Sequence, residues 1–174
     1  MYNELWYAVH AQIQLRDCTM QIRDGSGSPK LLTVKIGDGN LTYDEKRTIE
    51  YTRDRGILDE VREGDDEPMD VSLDMQWTYL RGASPTPSVE EAIKGIGLAV
   101  SAGWKSSDSD ACRPYAVDLI ILNKPTPSTC GAQELIILPD FRWETMNHDP
   151  RAGTVACTGK CNASQATVVR SANS

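Results

Sequence analysis

The chain has 174 residues, 40% of them apolar and 25% charged, with a formal net charge of −7. That length suits one domain with a sizeable core, and the composition excludes a disordered chain. The acidic balance argues against electrostatic binding of a nucleic-acid backbone, and no apolar run approaches the length of a membrane span, so no membrane insertion is expected.

Residues 1–16 lack the basic start and continuous apolar stretch of a signal peptide, which predicts cytoplasmic synthesis and an N-terminal arm. Segments 18–23 and 31–36 flank Asp24-Gly-Ser-Gly27, a turn-rich string that predicts a hairpin. Segment 71–79 alternates. Val71, Leu73, Met75, Trp77 and Tyr79 point one way, and Ser72, Asp74, Gln76 and Thr78 the other, so one face is core and one meets solvent or a partner. Ser88-Val-Glu-Glu91 reads as a capping box, preceded by Pro85 and Pro87 and followed by Gly95 and Gly97, which predicts one short helix.

Segments 115–122 and 134–138 are largely apolar on both faces and are joined by a Pro- and Thr-rich loop, 124–129. Strands of that kind lie mid-sandwich or under another subunit. Segments 154–162 and 166–170 close the chain before a polar tail, 171–174. The predicted fold is mainly β: one antiparallel β-sandwich or barrel over 1–174, one short flanking α-helix, and a long projecting hairpin or loop.

That projection is the unusual segment. Between Asp44 and Glu67 there are ten acids and five bases, whereas everything from Arg151 onward has three bases and no acid. Asp54-Arg55-Gly56 offers a turn. The flanks carry a thin apolar complement: Ile49 and Tyr51 on one side, Ile57, Leu58 and Val61 on the other. An isolated hairpin is marginal in water and needs something to pack on. Mixed charge with a few apolar anchors suits a register-setting contact with another subunit; the plainer alternative is a solvated surface loop. The candidate contact residues are Tyr43, Arg47, Ile49, Tyr51, Arg53, Arg55, Ile57, Leu58, Val61 and Arg62.

Catalytic chemistry finds little footing, and no enzyme activity is expected. His10 and His148 are the only histidines, and His148 sits in a turn-forming string, Asn147-His-Asp-Pro150. There is no Gly-x-Ser-x-Gly elbow and no phosphate-binding Gly-Lys-Ser/Thr loop, and Gly95-Ile-Gly97 follows a helix instead of opening one. Cys157-Thr-Gly-Lys-Cys161 is the one tempting metal motif, with Cys112, Cys130 or His148 as further zinc ligands. Strand spacing favours two small core residues instead, and the five cysteines do not suggest a disulfide scaffold. Asp108-Ser-Asp110 and Gly64-Asp-Asp-Glu67 are acidic enough for calcium, though such loops usually hold only water. The sequons at Asn40 and Asn162 carry no meaning without secretion. No cofactor is expected.

Two stretches resemble the major tail tube protein of long-tailed bacteriophages. The first runs Gly37-Asp-Gly-Asn-Leu-Thr-Tyr43 into Arg47, then Asp54-Arg-Gly-Ile-Leu-Asp59, then Val61-Arg-Glu-Gly-Asp-Asp-Glu-Pro-Met-Asp70 into the strand at Val71 and Ser72. The second is Tyr115-Ala-Val-Asp118, Leu138-Pro-Asp-Phe-Arg142, His148-Asp-Pro-Arg-Ala-Gly153 and Gly159-Lys-Cys-Asn162. The likeness spans about Cys18 to Val169 and leaves out the first sixteen residues.

The resemblance implies a structural virion protein that assembles in the host cytoplasm and resides in the virion tail. Six copies would form a ring, and rings would stack into a tube through which the genome passes. Its partners would be itself, the tape measure protein and other tail proteins. Genomic DNA would transit without sequence-specific binding, and acids facing the lumen would repel it, with Asp74 the candidate lumen residue. The segment from about 42 to 70 would reach a neighbouring subunit or ring. A second reading is a head–tail connector or tail-terminator ring. A third, from another class, is a carbohydrate- or metal-binding β-sandwich with Trp77, Trp104 or Trp143 as a stacking platform.

Overall fold

The computed structural model describes residues 18–37, 39–78, 82–123 and 133–171. The N-terminal arm, Tyr79, the 124–129 loop, Cys130 and the last three residues lie outside them, as does His10.

Ten strands and two short helices follow in chain order: β1 Cys18–Arg23, β2 Leu31–Val34, β3 Leu41–Asp44, β4 Ile49–Asp54, β5 Ile57–Glu63, β6 Met69–Gln76, α1 Val89–Lys94, α2 Leu98–Ser101, β7 Val117–Asn123, β8 Gln133–Asp149, β9 Thr154–Cys161 and β10 Thr167–Ser171. Eight strands form one antiparallel sheet in the order β2-β1-β7-β8-β9-β6-β3, with β10 on β8; β4 and β5 pair only with each other. Among the described residues the sheet does not close into a barrel, since β2 and β3 are its unpaired margins.

Strand β8 joins the two halves. Its first part pairs with β7 and β10, and its second part pairs with β9. Between them the register shifts: Leu119 faces Leu138, but Val117 faces Phe141. The extra β8 residue is taken up at Asp140, which has φ of 50°. Asp118 accepts the Asp140 N–H at 3.1 Å, and Ser107 donates to the Asp140 carboxylate at 2.7 Å, so side chains hold the bulge.

The period-2 pattern read over 71–79 is realised in β6 as far as Gln76; Trp77 and Thr78 follow the strand. Met69, Val71, Leu73 and Met75 are buried, and Ser72 and Gln76 are exposed. They join Met20, Ile22, Val34, Val117, Leu119, Leu138, Phe141, Val155, Cys157 and Cys161 in one core that includes Ala92 and Ile93 of α1. Each fully buried large side chain contributes about 1.5–3 kcal/mol relative to exposure. The expectation for 115–122 also holds on its outer face, since Ile120 is buried there as well as Leu119 on the core side.

The capping box forms as read. Ser88 Oγ accepts the Glu91 N–H at 3.2 Å, and Glu91 Oε2 accepts the Ser88 N–H at 2.9 Å. Gly95 ends α1 in the left-handed conformation, at φ 64°. The chain then makes a second helical turn, α2, where one helix was expected. Glu91 joins the two: it also accepts from the N–H groups of Gly82 and Leu98, at 3.0 and 3.3 Å.

Candidate assembly surface

The charged segment divides differently from its sequence outline. Its two ends belong to the main sheet: β3 pairs with β6, Leu41 facing Leu73 and Asp44 facing Asp70. Tyr43 therefore lies on β3, off the projection, and packs partly buried against the core. What projects is the β4–β5 hairpin alone, and every residue of both strands is exposed.

The hairpin is built locally. Arg55 and Gly56 both have positive φ, at 50° and 84°, and Asp54 faces Ile57. That is the two-residue turn whose twist matches paired strands, and it needs a glycine or another tolerant residue at each position. Pairing then sorts the side chains. Ile49 faces Glu63, Tyr51 faces Val61 and Arg53 faces Leu58, all on one surface. On the reverse, Glu50 faces Arg62, with a 2.7 Å ion pair, and Thr52 faces Glu60. A bulge at Asp59 shifts the register between the Thr52–Glu60 and Arg53–Leu58 pairs. The hairpin is thus amphipathic, yet its apolar side (Ile49, Tyr51, Leu58, Val61) is exposed among the described residues. Ile57 at the tip is the most exposed large apolar residue among the described residues, at 74%.

The base is well fastened. Thr48 C=O accepts the Gly64 N–H at 2.9 Å, and Arg47 Nε donates to Glu63 at 2.9 Å. Thr48 Oγ1 donates to Glu67, Lys46 pairs with Asp70, and the Glu45 carboxylate accepts the Ala166 N–H at 2.8 Å. The Asp70 carboxyl is held below its ordinary range by the Lys46 hydrogen bond.

Asp74 lies on the polar side of β6, opposite the core. Its neighbours there form cross-strand rows. Thr42, Ser72, Thr158 and Thr145 stand in one line over β3, β6, β9 and β8; Asp74, Ala156 and Asn147 form the next; Gln76, Thr154 and Asp149 the next. The remaining row is Asp44, Asp70, Lys160 and Arg142. Across these four rows the only apolar side chain is a methyl group, that of Ala156. The surface is small, hydroxyl-rich and mildly acidic.

Other sequence candidates are accounted for by packing. His148 is not in a turn: it lies on β8 facing Val155, 3.2 Å from Glu90, with its ring against Trp77 at 5.1 Å. The β8–β9 pairing carries the strand through Asn147, against the local turn propensity. Cys157 and Cys161 are buried on one face of β9, about 13 Å apart by strand rise, too far to share one zinc ion. Burial pushes both thiols up to about 12. Asp108 spends its oxygens on the Asp110 N–H, Arg142 and Arg113, and these, the backbone donor first, hold its carboxyl below the usual range. Trp77 and Trp104 pack partly against the core, and Lys94 lies over the ring of Trp143 at 5.2 Å.

Two features had no sequence signal. Asp24, read as a turn residue, is fully buried and organises its loop by accepting from the N–H groups of Lys30 and Lys105 at 2.6 and 3.2 Å. Val168 and Val169 of β10 are both exposed, at 63% and 46%, on opposite faces of an edge strand.

Among solved structures, the fold is similar to that of the PVC sheath/tube terminator in its extended state, from the cryo-EM structure of an extracellular contractile injection system. The TM-score is 0.55 at 10% sequence identity, over 93% of this chain and 99% of that chain. At that identity the likeness is one of fold. No protein-family model and no curated protein sequence matches the chain.

Proposed function

We propose that the chain is a structural subunit of a phage-tail-like apparatus: copies close into six-membered rings, and rings stack into a tail tube that conducts the genome. The observation that carries this reading is the β4–β5 hairpin. It has an ordered turn and a fastened base, yet its apolar side stays exposed among the described residues. An isolated two-stranded hairpin does not hold itself in water, so a second surface is required. A repeated head-to-tail contact that closes gives a ring, which removes exposed sheet edges.

The polar rows around Asp74 suit the lumen. Hydroxyls and carboxylates on a flat sheet offer DNA neither a basic groove nor an apolar patch, and the acids repel phosphate. In this reading the tape measure protein occupies the lumen during assembly, the protein belongs to the virion tail after assembly in the host cytoplasm, and its role involves no catalysis and no cofactor.

The fold likeness favours a second version, in which the subunit forms one terminating ring at the end of a tube. Electron microscopy of the purified protein separates the two. Long tubes are the expected result. Isolated rings alone replace the tube by the terminator, and a protein that stays monomeric at all concentrations overturns both.

A further inference from the structure

We infer that the free edge of β5 in one copy adds to the free edge of β10 in the next, so that the hairpin is received edge-on by the β8–β10 end of its neighbour. The inference rests on the self-assembly reading and names the receiving surface.

Among the described residues, β2, β3 and β10 each have an edge with no strand beside it, and so does the second half of β8, residues 142–149, where Trp143 alone is an exposed large apolar residue. On β3, Leu41 and Tyr43 turn to the core and leave Thr42 and Asp44 outside. On β2, Val34 is buried, Leu32 packs against the core, and Leu31 alone is an exposed large apolar residue. Strand β10 differs, because consecutive valines on opposite faces are both exposed. A partner lying flat on one face of the sheet would cover only one of them. A strand added at the edge covers both, and its backbone satisfies the unpaired groups of β10.

The incoming strand must carry apolar side chains on both of its own faces. Strand β4 does not, since Ile49 and Tyr51 share a side and Glu50, Thr52 and Asp54 hold the other. Strand β5 does: Ile57 and Leu58 are adjacent, point to opposite sides and are both exposed. Charge adds nothing to the choice: Arg170, which follows the apolar pair of β10, is already ion-paired with Glu134 of β8, so the pairing rests on the apolar side chains that both strands expose on both faces. Two different patches on one chain make a heterologous contact, the type that builds rings and stacks instead of closed dimers.

The test is photo-crosslinking of the full chain with p-benzoylphenylalanine in place of Leu58, read by mass spectrometry. The expected adduct is intermolecular and maps to 167–171. Intermolecular adducts confined to β2, β3 or any other surface overturn the β10 assignment and leave self-assembly standing. A chain that remains monomeric and yields no intermolecular adduct overturns both. As a second measurement, Val168→Lys with Val169→Lys should abolish assembly while the melting temperature stays within a few degrees of the parent. Assembly that persists in that variant overturns the inference independently of the crosslink.

Discussion

Tyr51 and Val61 stand directly opposite each other across β4 and β5, and both side chains are more than half exposed. A cross-strand aromatic–aliphatic pair of this kind is worth only about 0.2–1 kcal/mol to the hairpin itself. Its larger contribution is expected where a partner removes it from water. Tyr51→Ser with Val61→Ser should therefore leave the melting temperature within about 2–4 °C of the parent, as for surface changes, and abolish assembly. Calorimetry and light scattering on the same sample check both halves of that statement.

Removing the hairpin is a sharper form of the same test. The hydrogen bond from the Gly64 N–H to the Thr48 carbonyl already brings the two stalks together, so a short glycine bridge can replace residues 49–63. The deletion variant should be a folded monomer with an intact core. Cooperative unfolding lost from its thermal melt would show instead that the main sheet depends on the hairpin.

The core should respond in the opposite way. Phe141 is 1% exposed and lies where β8 passes between the two halves of the sheet. Phe141→Ala should cost about 3–5 kcal/mol, lowering the melting temperature by roughly 6–20 °C at this chain length. A loss below about 1 kcal/mol in denaturant titration would show that this junction is not packed as described.

Acid should loosen the α1–α2 turn through Glu91. Its carboxylate accepts from the backbone N–H groups of Ser88 first, then Gly82 and Leu98, which holds its carboxyl below the ordinary range. A depressed folded-state value means stability that is present above the unfolded pKa, about 4.3, and lost as pH falls through the folded one. Glu91→Gln should cost about 1–3 kcal/mol at pH 7, because one amide face cannot accept these donors. The gap between the two proteins should narrow below about pH 4. A gap that stays constant from pH 7 to pH 3 would remove the charge from the account.

Thiol labelling reports the packing of β9. Cys157 and Cys161 are buried and their thiols are pushed up to about 12 by that burial, whereas Cys112 is exposed. Iodoacetamide at pH 8 should alkylate Cys112 in the native protein and reach the β9 pair only after unfolding. Peptide mapping before and after denaturant reads the difference.

Features that depend on short-range pattern were legible in the residues alone. The Ser88–Glu91 capping box and the Asp54–Ile57 turn region rest on neighbours within four residues and formed as read, and the alternation formed in β6 as far as Gln76. The concentration of charge between Asp44 and Glu67 was equally visible, and the hairpin came with it. Tertiary structure decided the rest. Tyr43 looks like part of the charged arm but is claimed by β6 through the ladder at Val71. His148 sits in a turn-like string that pairing with β9 extends into strand. Asp24 becomes a buried organiser only when residue 105 arrives from a distant loop. The exposed apolar edge of β10 has the same origin. In the sequence 166–170 reads only as a closing strand, and the strand order shows that one side of it is left without a neighbouring strand among the described residues. Local propensity names the elements; which edges and faces remain open is set by pairings between residues far apart in the chain, and the proposed contact with a neighbouring copy would use those open surfaces.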